Sequence, residues 1–322
     1  MNIKNFLKRN CITKNIYKSI KDQINKRQKL NKLRYTGSFV NRSKGEDKLC
    51  IVLAGYKPYL YNYVFARLKK YAIDKMDICI VTSGKTVAEI GKICEENEWS
   101  YLSTKENNVS LVQNVAIANH PKAKYIFKLD EDIFITEHFF EKMIASFERN
   151  LKGFYDPGFV APIIPINGFA HIFVLEKYKK VEEYNNRFEK ARHMSSPSRK
   201  IECDPAVARF FWGENGCIPH IDLMNKDFEA DKTCDITCPI KFSIGAIFFP
   251  RSTWENMGYF SVNRAKTSLG DDEKELCAYC MLKSKPIIVN LNTVVGHFSF
   301  GKQTSGMIEY MNAHPEMFNI IN

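Results

Sequence analysis

The chain has 322 residues, a length that suits one large domain or two small ones. With 45% hydrophobic and 26% charged residues it has the composition of a folded globular protein, which excludes a disordered chain, a collagen-like fibre and a small disulfide scaffold. No apolar run is long enough to predict a membrane-spanning helix, and the basic N-terminus lacks the apolar stretch of a secretion signal. We therefore expect a cytoplasmic protein with reduced cysteines.

The net charge of +11 is carried by the first 48 residues, whereas positions 49–322 contain 33 basic and 33 acidic residues. Apolar residues recur there at helical spacing, on two faces made of Ile3, Phe6, Leu7 and Cys11 and of Ile16, Tyr17, Ile20 and Ile24. This pattern predicts a basic helical leader over residues 1–48. It either lies on an anionic membrane surface through residues 1–34, at the inner face of the cell membrane, or packs on its own domain. No nucleic acid partner is expected, because the rest of the chain carries no basic excess.

The ten cysteines do not predict a metal site. Cys50 and Cys79 lie in apolar, strand-like runs, where cysteine behaves as a small hydrophobic residue. Cys234 and Cys238, and Cys277 and Cys280, have spacings that a zinc site allows. The two pairs lie far apart in sequence, however, and the second falls in a predicted helix, so we do not expect zinc.

From residue 49 onward, apolar runs alternate with amphipathic segments. Strands are predicted at 49–54, 77–82, 99–103 and 125–129, with helices at 59–71, 85–97, 109–119 and 136–150. Strands that alternate with helices of this length indicate βαβ units, an α/β fold and a mostly parallel sheet with helices on both faces.

After residue 150 the regular alternation of strands and helices ends. Strands are predicted at 158–166, 170–175, 240–249, 287–290 and 294–298, and helices at 176–193, 204–211, 251–257 and 271–283. We expect one catalytic domain over 49–300, with a nucleotide half at about 49–135, an acceptor half at about 136–300, and a C-terminal tail at 301–322.

Three carboxylates, Asp130, Glu131 and Asp132, directly follow a predicted buried strand. The carboxyl ends of parallel strands form the ligand crevice of such a sheet. Adjacent carboxylates repel each other unless a cation neutralises them, and hard oxygen ligands suit Mg²⁺ or Mn²⁺. In an extended segment Asp130 and Asp132 point the same way and Glu131 points away. The alternative is an acidic cap on the helix that follows.

The order of these elements resembles the GT-A glycosyltransferases, most closely the family 2-like members of bacterial polysaccharide biosynthesis. The likeness rests on Asn114-Val115-Ala116 before a strand that ends in Asp-x-Asp, on the strand and short helix at 243–254, and on Gly270-Asp271-Asp272-Glu273. It also includes Val294-Val295-Gly296-His297-Phe298 and covers roughly residues 49–300.

The resemblance implies a nucleotide-diphosphate sugar as donor and a saccharide or lipid-linked saccharide as acceptor. It implies metal ligation by Asp132, Asp130 and His297, with Mn²⁺ or Mg²⁺ as cofactor. The implied donor-binding residues are Ala54, Gly55, Tyr56, Lys57, Ser83, Asn114, Asp130 and Glu131. The alternative for His297 is a core histidine, and for Tyr56 and Lys57 a plain surface turn.

The acidic triplet at 271–273 is the candidate base of an inverting transfer, because an attacking hydroxyl must lose its proton. The register is ambiguous by one residue: Gly270 aligns the base on Asp272, and Leu276 aligns it on Glu273. We predict Asp272, with Asp271 and Glu273 beside it. The alternative is an acidic helix N-terminus without a catalytic role.

Two further positions are less regular. Thr82-Ser83-Gly84 stands where family 2 members usually place an Asp that reads uracil, so we expect a weaker or different contact to the base here. Trp212 and Glu214 lie in an aromatic stretch, 210–214, that suits a sugar-stacking acceptor platform or ordinary core packing.

Two other functions remain open. A sugar nucleotidyltransferase has a similar sheet, but its phosphate loop needs several glycines, whereas Tyr56, Lys57 and Pro58 follow Gly55 here. A non-catalytic nucleotide-sugar-binding protein is the second alternative, although both acidic clusters and His297 are present. Diphosphate release from a nucleoside triphosphate would identify the first, and binding without turnover the second.

Overall fold

The computed structural model describes residues 11–232, 234–263 and 270–321, with side chains from residue 16 onward. The strands are β1 Gly37–Val40, β2 Lys48–Ala54, β3 Met76–Ser83, β4 Ser100–Thr104, β5 Tyr125–Asp130, β6 Ile133–Phe134, β7 Phe159–Ile163, β8 Asp235–Cys238, β9 Ala246–Pro250, β10 Ile287–Val294 and β11 Gly296–His297. The first helices are α1 Cys11–Asn31, α2 Tyr61–Tyr71, α3 Ala88–Glu96, α4 Val109–Asn119 and α5 Phe139–Lys152. The later ones are α6 His171–Lys177, α7 Val181–Arg187, α8 Lys200–Cys203, α9 Pro205–Phe211, α10 Ile221–Glu229, α11 Arg251–Asn256, α12 Asp271–Leu282 and α13 Thr304–Ala313. Short 3-10 turns lie at Pro58–Leu60, Glu214–Gly216, Gly301–Gln303 and Pro315–Met317.

A nine-stranded sheet forms the centre, in the order β1-β4-β3-β2-β5-β9-β7-β10-β8. Strands β4, β3, β2 and β5 run parallel, as do β7 and β10, whereas β1, β9 and β8 are antiparallel to their neighbours. The predicted α/β class, with a mostly parallel central sheet flanked by helices, is confirmed.

The chain order reverses between β2 and β5. Strands β2, β3 and β4 step outward in one direction, and β5 then returns to the other side of β2. At such a switch point the loops after the two strands turn apart and leave a crevice outside their carboxyl ends. The apolar residues of β2 and β5 that pack in the core, such as Val52 and Phe127, are buried and hold this edge in place.

A two-stranded antiparallel sheet of β6 and β11 sits beside the crevice. It pairs His297 with Ile133, and the N–H of Phe298 donates to the carbonyl of Asp132 at 2.9 Å. These bonds bring a histidine from near the end of the chain to the carboxylates that follow β5.

The predicted leader is only partly helical. Helix α1 is confirmed, and Ile16, Ile20 and Ile24 are exposed on it. Residues 37–40 instead form β1, which pairs with β4 and belongs to the sheet. The face made of Ile3, Phe6, Leu7 and Cys11 lies outside the described side chains. No helix in the described part of the chain combines the length and apolar character needed to cross a membrane.

Several expectations in the second half are wrong, and the strand predicted at 240–249 begins only at Ala246. Residues 170–175 are not a strand but fall almost entirely in α6, because the Asn167 side chain accepts the N–H groups of Phe169 and Ala170 and so starts a helical turn. The helix predicted at 176–193 is also wrong in extent. Helix α6 ends at Lys177, the chain turns at Lys179, whose φ is +56°, and the short helix α7 begins at Val181. The strands predicted at 287–290 and 294–298 are instead the long β10 and the short β11.

Candidate active site

A cavity of about 680 Å³ opens at the carboxyl ends of β2, β3 and β5, at the switch point of the sheet. Ten of the residues predicted for donor, metal or catalytic roles line it: Ala54, Tyr56, Lys57, Ser83, Asp130, Glu131, Asp132, Asp272, Glu273 and His297. These positions are spread over nearly 250 residues of sequence. Their convergence on one cavity makes it the candidate site.

The loop after β2 is held by Glu131. The carboxylate of Glu131 accepts the backbone N–H of Gly55 at 2.7 Å and that of Tyr56 at 3.0 Å. Burial raises the pKa of Glu131, although these N–H donors favour its charged form. Gly55 has a φ of +123°, which a residue with a Cβ rarely adopts. Glu131 was predicted as a donor-binding residue. Its carboxylate binds the backbone of the loop after β2 and so fixes the shape of that loop.

Tyr56 forms one wall of the cavity mouth. Its hydroxyl donates to the carbonyl of Ser83 at 2.7 Å, and the Lys85 ammonium lies 3.8 Å from the ring centroid. About half of the side chain remains exposed. A fixed, half-exposed ring at the end of β2 can stack on a planar base, and the nearby Ser83 and Asn107 supply polar groups.

Asp132 is the most strongly held carboxylate of the site. It is buried, and one of its oxygens contacts both the Lys57 ammonium and His297 Nε2, the latter at 3.3 Å. Burial alone would raise the pKa of Asp132, but His297 and Lys57 outweigh it and hold the pKa well below its usual range. His297 Nδ1 is buried and has no hydrogen-bond partner among the described residues.

Lys128 is a site residue that the sequence analysis missed. It lies inside β5, two positions before Asp130, so both side chains point to the same face of the sheet. Its buried ammonium donates to Asp130 Oδ1 at 2.6 Å and to the carbonyl of Ile244 at 2.8 Å. Burial would lower the pKa of Lys128, yet the charges of Asp130, Asp272 and Glu273 raise it. A lysine within an otherwise apolar strand, facing the same way as Asp130, was the available sequence signal.

The first turn of α12 brings Asp272 and Glu273 to the opposite wall. Asp272 is buried, and within the part of the chain that the structure describes its carboxylate accepts a hydrogen bond from the neutral Gln113 amide at 2.8 Å. Glu273 is paired instead with the Lys241 ammonium at 2.6 Å. A helix N-terminus favours both carboxylates. Asp271 is exposed and lies outside the cavity lining, so the structure distinguishes the three acids by their partners.

The residues predicted to ligate a metal converge, but their geometry does not suit a cation as it stands. Within the described residues no group of three His, Cys, Asp or Glu side chains is arranged to hold a metal ion. Asp132 is paired with Lys57, and Asp130 with Lys128, so each carboxylate already has an ammonium as its counter-ion. Asp130, Asp132 and His297 therefore do not fit Mn²⁺ or Mg²⁺ unless Lys57 moves away.

Besides Gly55 and Asp271, three predicted site residues lie outside the cavity lining. Asn114 is buried in α4, where its side chain accepts from Trp254 Nε1 at 2.8 Å and from the Phe260 N–H at 3.0 Å. Trp212 is buried against Phe318 rather than open to a sugar, and its Nε1 donates to the carbonyl of His297 at 3.0 Å. Glu214 pairs with Arg209. Trp212 thus holds the backbone of His297, whereas the partners of Asn114 lie outside the cavity lining.

Comparison with known proteins gives distant likenesses. No family model matches the chain, and no curated protein matches it. Among solved structures, S. aureus TarS 1-349 matches at 10% identity and a TM-score of 0.43, and its complex with UDP-GlcNAc at 10% and 0.45. The mannosyltransferase PcManGT from Pyrobaculum calidifontis, in complex with GDP-Man and Mn²⁺, matches at 13% and 0.45.

The three matches cover 84 to 85% of this chain. This chain spans 63 to 66% of the matched chains, just under two thirds of their length. At such low identity and TM-score the likeness carries no inference about the ligands or reaction of this chain.

Proposed function

We propose that this chain is a glycosyltransferase of the GT-A type, which moves a sugar from a nucleotide-diphosphate donor to a saccharide or lipid-linked saccharide acceptor. One observation carries the proposal. A single cavity at the switch point of the sheet combines a stacking ring, two ammonium groups and the Asp272 carboxylate, whose partner among the described residues is a neutral amide. The ring would bind the nucleobase of the donor, and the two ammonium groups would bind its diphosphate. The carboxylate would take the proton of the attacking hydroxyl.

The donor would lie across the loop after β2. The Tyr56 ring and Ser83 suit the base and ribose, and the backbone from Ala54 to Lys57 follows the nucleotide. The ammonium groups of Lys57 and Lys128 face the cavity and can neutralise the diphosphate. Each would then share its hydrogen bonds between an aspartate and a phosphate oxygen.

Asp272 is the proposed base. Because its hydrogen-bond donor among the described residues is a neutral amide, its carboxylate stays available to take the proton of an acceptor hydroxyl as that oxygen attacks the anomeric carbon. Attack from the side opposite the departing diphosphate would invert the anomeric configuration. Glu273, which is tied to Lys241, is the less suitable base.

The metal requirement predicted from the sequence stays a prediction. A divalent cation bound here would stabilise the departing diphosphate. To admit it, Asp132 must release Lys57, because the ammonium occupies the oxygen that faces His297. We also keep as a proposal the contact of residues 1–34 with an anionic membrane surface, which the exposed Ile16, Ile20 and Ile24 support.

Thermal shift with UDP, GDP, CDP and ADP, each with EDTA or with Mn²⁺, tests the proposal. We expect at least one nucleoside diphosphate to stabilise the protein, and we expect Lys128→Met to lose most of that shift. Asp231→Ala, which removes a surface charge far from the cavity, should behave as wild type. Stabilisation in Mn²⁺ only, lost in Asp132→Ala, would establish the metal site. No shift with any nucleotide, or diphosphate release from a nucleoside triphosphate and a sugar phosphate, would contradict the proposal.

A further inference from the structure

Exposed apolar side chains cluster on one surface that the proposed reaction does not use. Thirteen large hydrophobic residues are exposed in the described part of the chain, four of them on α1. Five others belong to two neighbouring segments: Leu151, Phe154 and Tyr155 to one, and Met281 and Leu282 to the other. We call this group the tip patch. Phe154 is 103% exposed, Leu282 80% and Met281 72%, so these side chains project into solvent rather than resting on the surface.

Two helix ends build the tip patch. Leu151 lies in the last turn of α5, with Phe154 and Tyr155 just beyond it, and Met281 and Leu282 end α12. Contacts between the two segments hold them side by side. Lys285 pairs with Asp156, and the N–H of Gly158 donates to the carbonyl of Pro286 at 3.0 Å. The tip patch is therefore a fixed surface.

A groove of about 560 Å³ runs beside the tip patch, between Tyr155 and Met281. Its floor includes Cys238, Ile240 and Cys280. An apolar tip next to an open apolar groove can bury more area than the projecting side chains alone.

Basic residues surround the tip patch. The two segments 149–156 and 278–286, together with the groove lining, contain six basic residues and one acidic residue, Asp156. The six are Arg149, Lys152, Lys241, Lys274, Lys283 and Lys285. Positions 49–322 as a whole contain equal numbers of basic and acidic residues. Arg149, Lys241 and Lys285 are paired with Asp235, Glu273 and Asp156, so the positive excess on this surface comes from Lys152, Lys274 and Lys283.

We propose that the tip patch is a docking surface for an anionic membrane, with Phe154, Met281 and Leu282 inserted among the headgroups and the lysines against the lipid phosphates. Projecting apolar side chains ringed by lysines are complementary to such an interface. The same charge disfavours the two other apolar partners within this chain. A second copy would bring its own basic rim, and α1 is itself basic.

The tip patch lies at the far end of α12 from the cavity. Asp272 and Glu273 in the first turn line the cavity, and Leu282 is the last residue of the helix. Twelve helical residues span about 18 Å.

Co-sedimentation with vesicles tests the proposal. The full chain is mixed with vesicles of phosphatidylcholine alone or with phosphatidylglycerol added, at low and high salt. We expect binding to the anionic vesicles only, with release as salt rises. Phe154→Ser with Leu282→Ser should lower the partition coefficient roughly a hundredfold. Lys152→Glu with Lys283→Glu should lower it at least about tenfold.

Matched variants separate this surface from the others. Met194→Ser with Leu223→Ser removes two exposed apolar side chains outside the tip patch and should bind as wild type. Ile20→Ser with Ile24→Ser shows how much of the vesicle binding comes from α1. Phe154→Trp should gain fluorescence quenching by brominated lipid, since Trp99, Trp212 and Trp254 are buried.

Three results would overturn the proposal. The first is wild-type binding by the Phe154→Ser, Leu282→Ser variant, above all if the α1 variant loses binding. The second is failure of the wild-type chain to bind anionic vesicles at low salt. The third is a wild-type dimer that forms without vesicles and is absent in the Phe154→Ser, Leu282→Ser variant, because the tip patch would then be an interface between copies. None of these results depends on nucleotide binding, so the proposed function is judged separately.

Discussion

Replacing Lys128 by Met removes one buried ammonium group and keeps most of the side-chain volume. In the folded protein this group donates to Asp130 and to the carbonyl of Ile244, and it faces Asp272 and Glu273. Without it, the five carboxylates that line the cavity lose one of their counter-ions, and the buried carbonyl of Ile244 loses its donor. The change therefore affects both folding and anion binding, by amounts that can be measured separately.

The effect on stability follows from burial. Breaking a fully buried ion pair costs about 3–5 kcal/mol, because the remaining charge lacks a partner. Here the Lys128 side chain is 4% exposed, but that of Asp130 is 34% exposed and can recover some hydration. We therefore expect the free energy of unfolding to fall by about 2–3 kcal/mol. Lys128→Met combined with Asp130→Asn should recover most of this loss, since the unpaired charge is gone.

The effect on binding follows from the lost hydrogen bond. A hydrogen bond to a charged group contributes about 1.5–3 kcal/mol, so affinity for a nucleoside diphosphate should fall roughly 10- to 100-fold. Unlike stability, this affinity should not return in the double variant. Urea unfolding measures the free energy of unfolding, and calorimetric titration in EDTA measures the affinity for the nucleoside diphosphate.

Lys44→Met provides the control, because Lys44 is an exposed lysine that pairs with Glu98 at the surface. It should change neither quantity beyond a few tenths of a kcal/mol. Wild-type affinity for the diphosphate in folded Lys128→Met protein would refute the assignment of Lys128 to the diphosphate.

Other predictions follow from single contacts. Asp272→Asn keeps the side-chain shape and removes the proton acceptor, so the transfer rate should fall about 10²–10⁴-fold with donor affinity nearly unchanged. A steady-state rate assay measures this change. An active Asp272→Asn variant together with an inactive Glu273→Gln variant would show that Glu273 is the base. Arg67 is buried and forms a bidentate pair with Asp222, so Arg67→Met should cost about 3–5 kcal/mol in urea unfolding, and a loss below 1 kcal/mol would contradict its structural role. Burial lowers the pKa of His171 to about 4, below the unfolded value of about 6.5. Protons therefore bind the unfolded chain first, and stability should fall by roughly 3 kcal/mol as pH drops from 6.5 to 4. The pH dependence should flatten in His171→Gln, and an unchanged slope would show that other groups cause it.

The strands around the site could be predicted because their residues form continuous apolar runs. Buried parallel strands such as β2 and β5 have this composition whichever neighbours they pair with. The carboxylates after β5 were predicted from the same logic, since the carboxyl end of a parallel strand lies at the ligand edge. Edge strands lack that signature. β1 is mostly exposed and contains Gly37, so nothing in its sequence distinguishes it from a loop.

The partners of each site residue could not be predicted, because they come from distant parts of the chain. Trp212 is an aromatic residue in a polar loop, which suits a sugar platform, yet its ring packs on Phe318 in the core. Glu131 was expected to point away from Asp130 and Asp132, and its carboxylate lies at the edge of the same cavity, where it accepts the N–H of Gly55 from the loop after β2. Such outcomes depend on how separate elements pack, which local sequence patterns do not encode.

Release of nucleoside diphosphate from a panel of nucleotide-diphosphate sugars tests the central claim most directly. The purified chain is incubated with UDP-, GDP-, CDP- and ADP-linked sugars and a mixture of saccharide acceptors, in EDTA and in Mn²⁺. The account predicts that at least one donor releases its diphosphate in the presence of acceptor, and that Asp272→Asn lowers the rate about 10²–10⁴-fold. A folded protein that releases diphosphate from no donor of the panel, or whose Asp272→Asn variant releases it at the wild-type rate, would contradict the account.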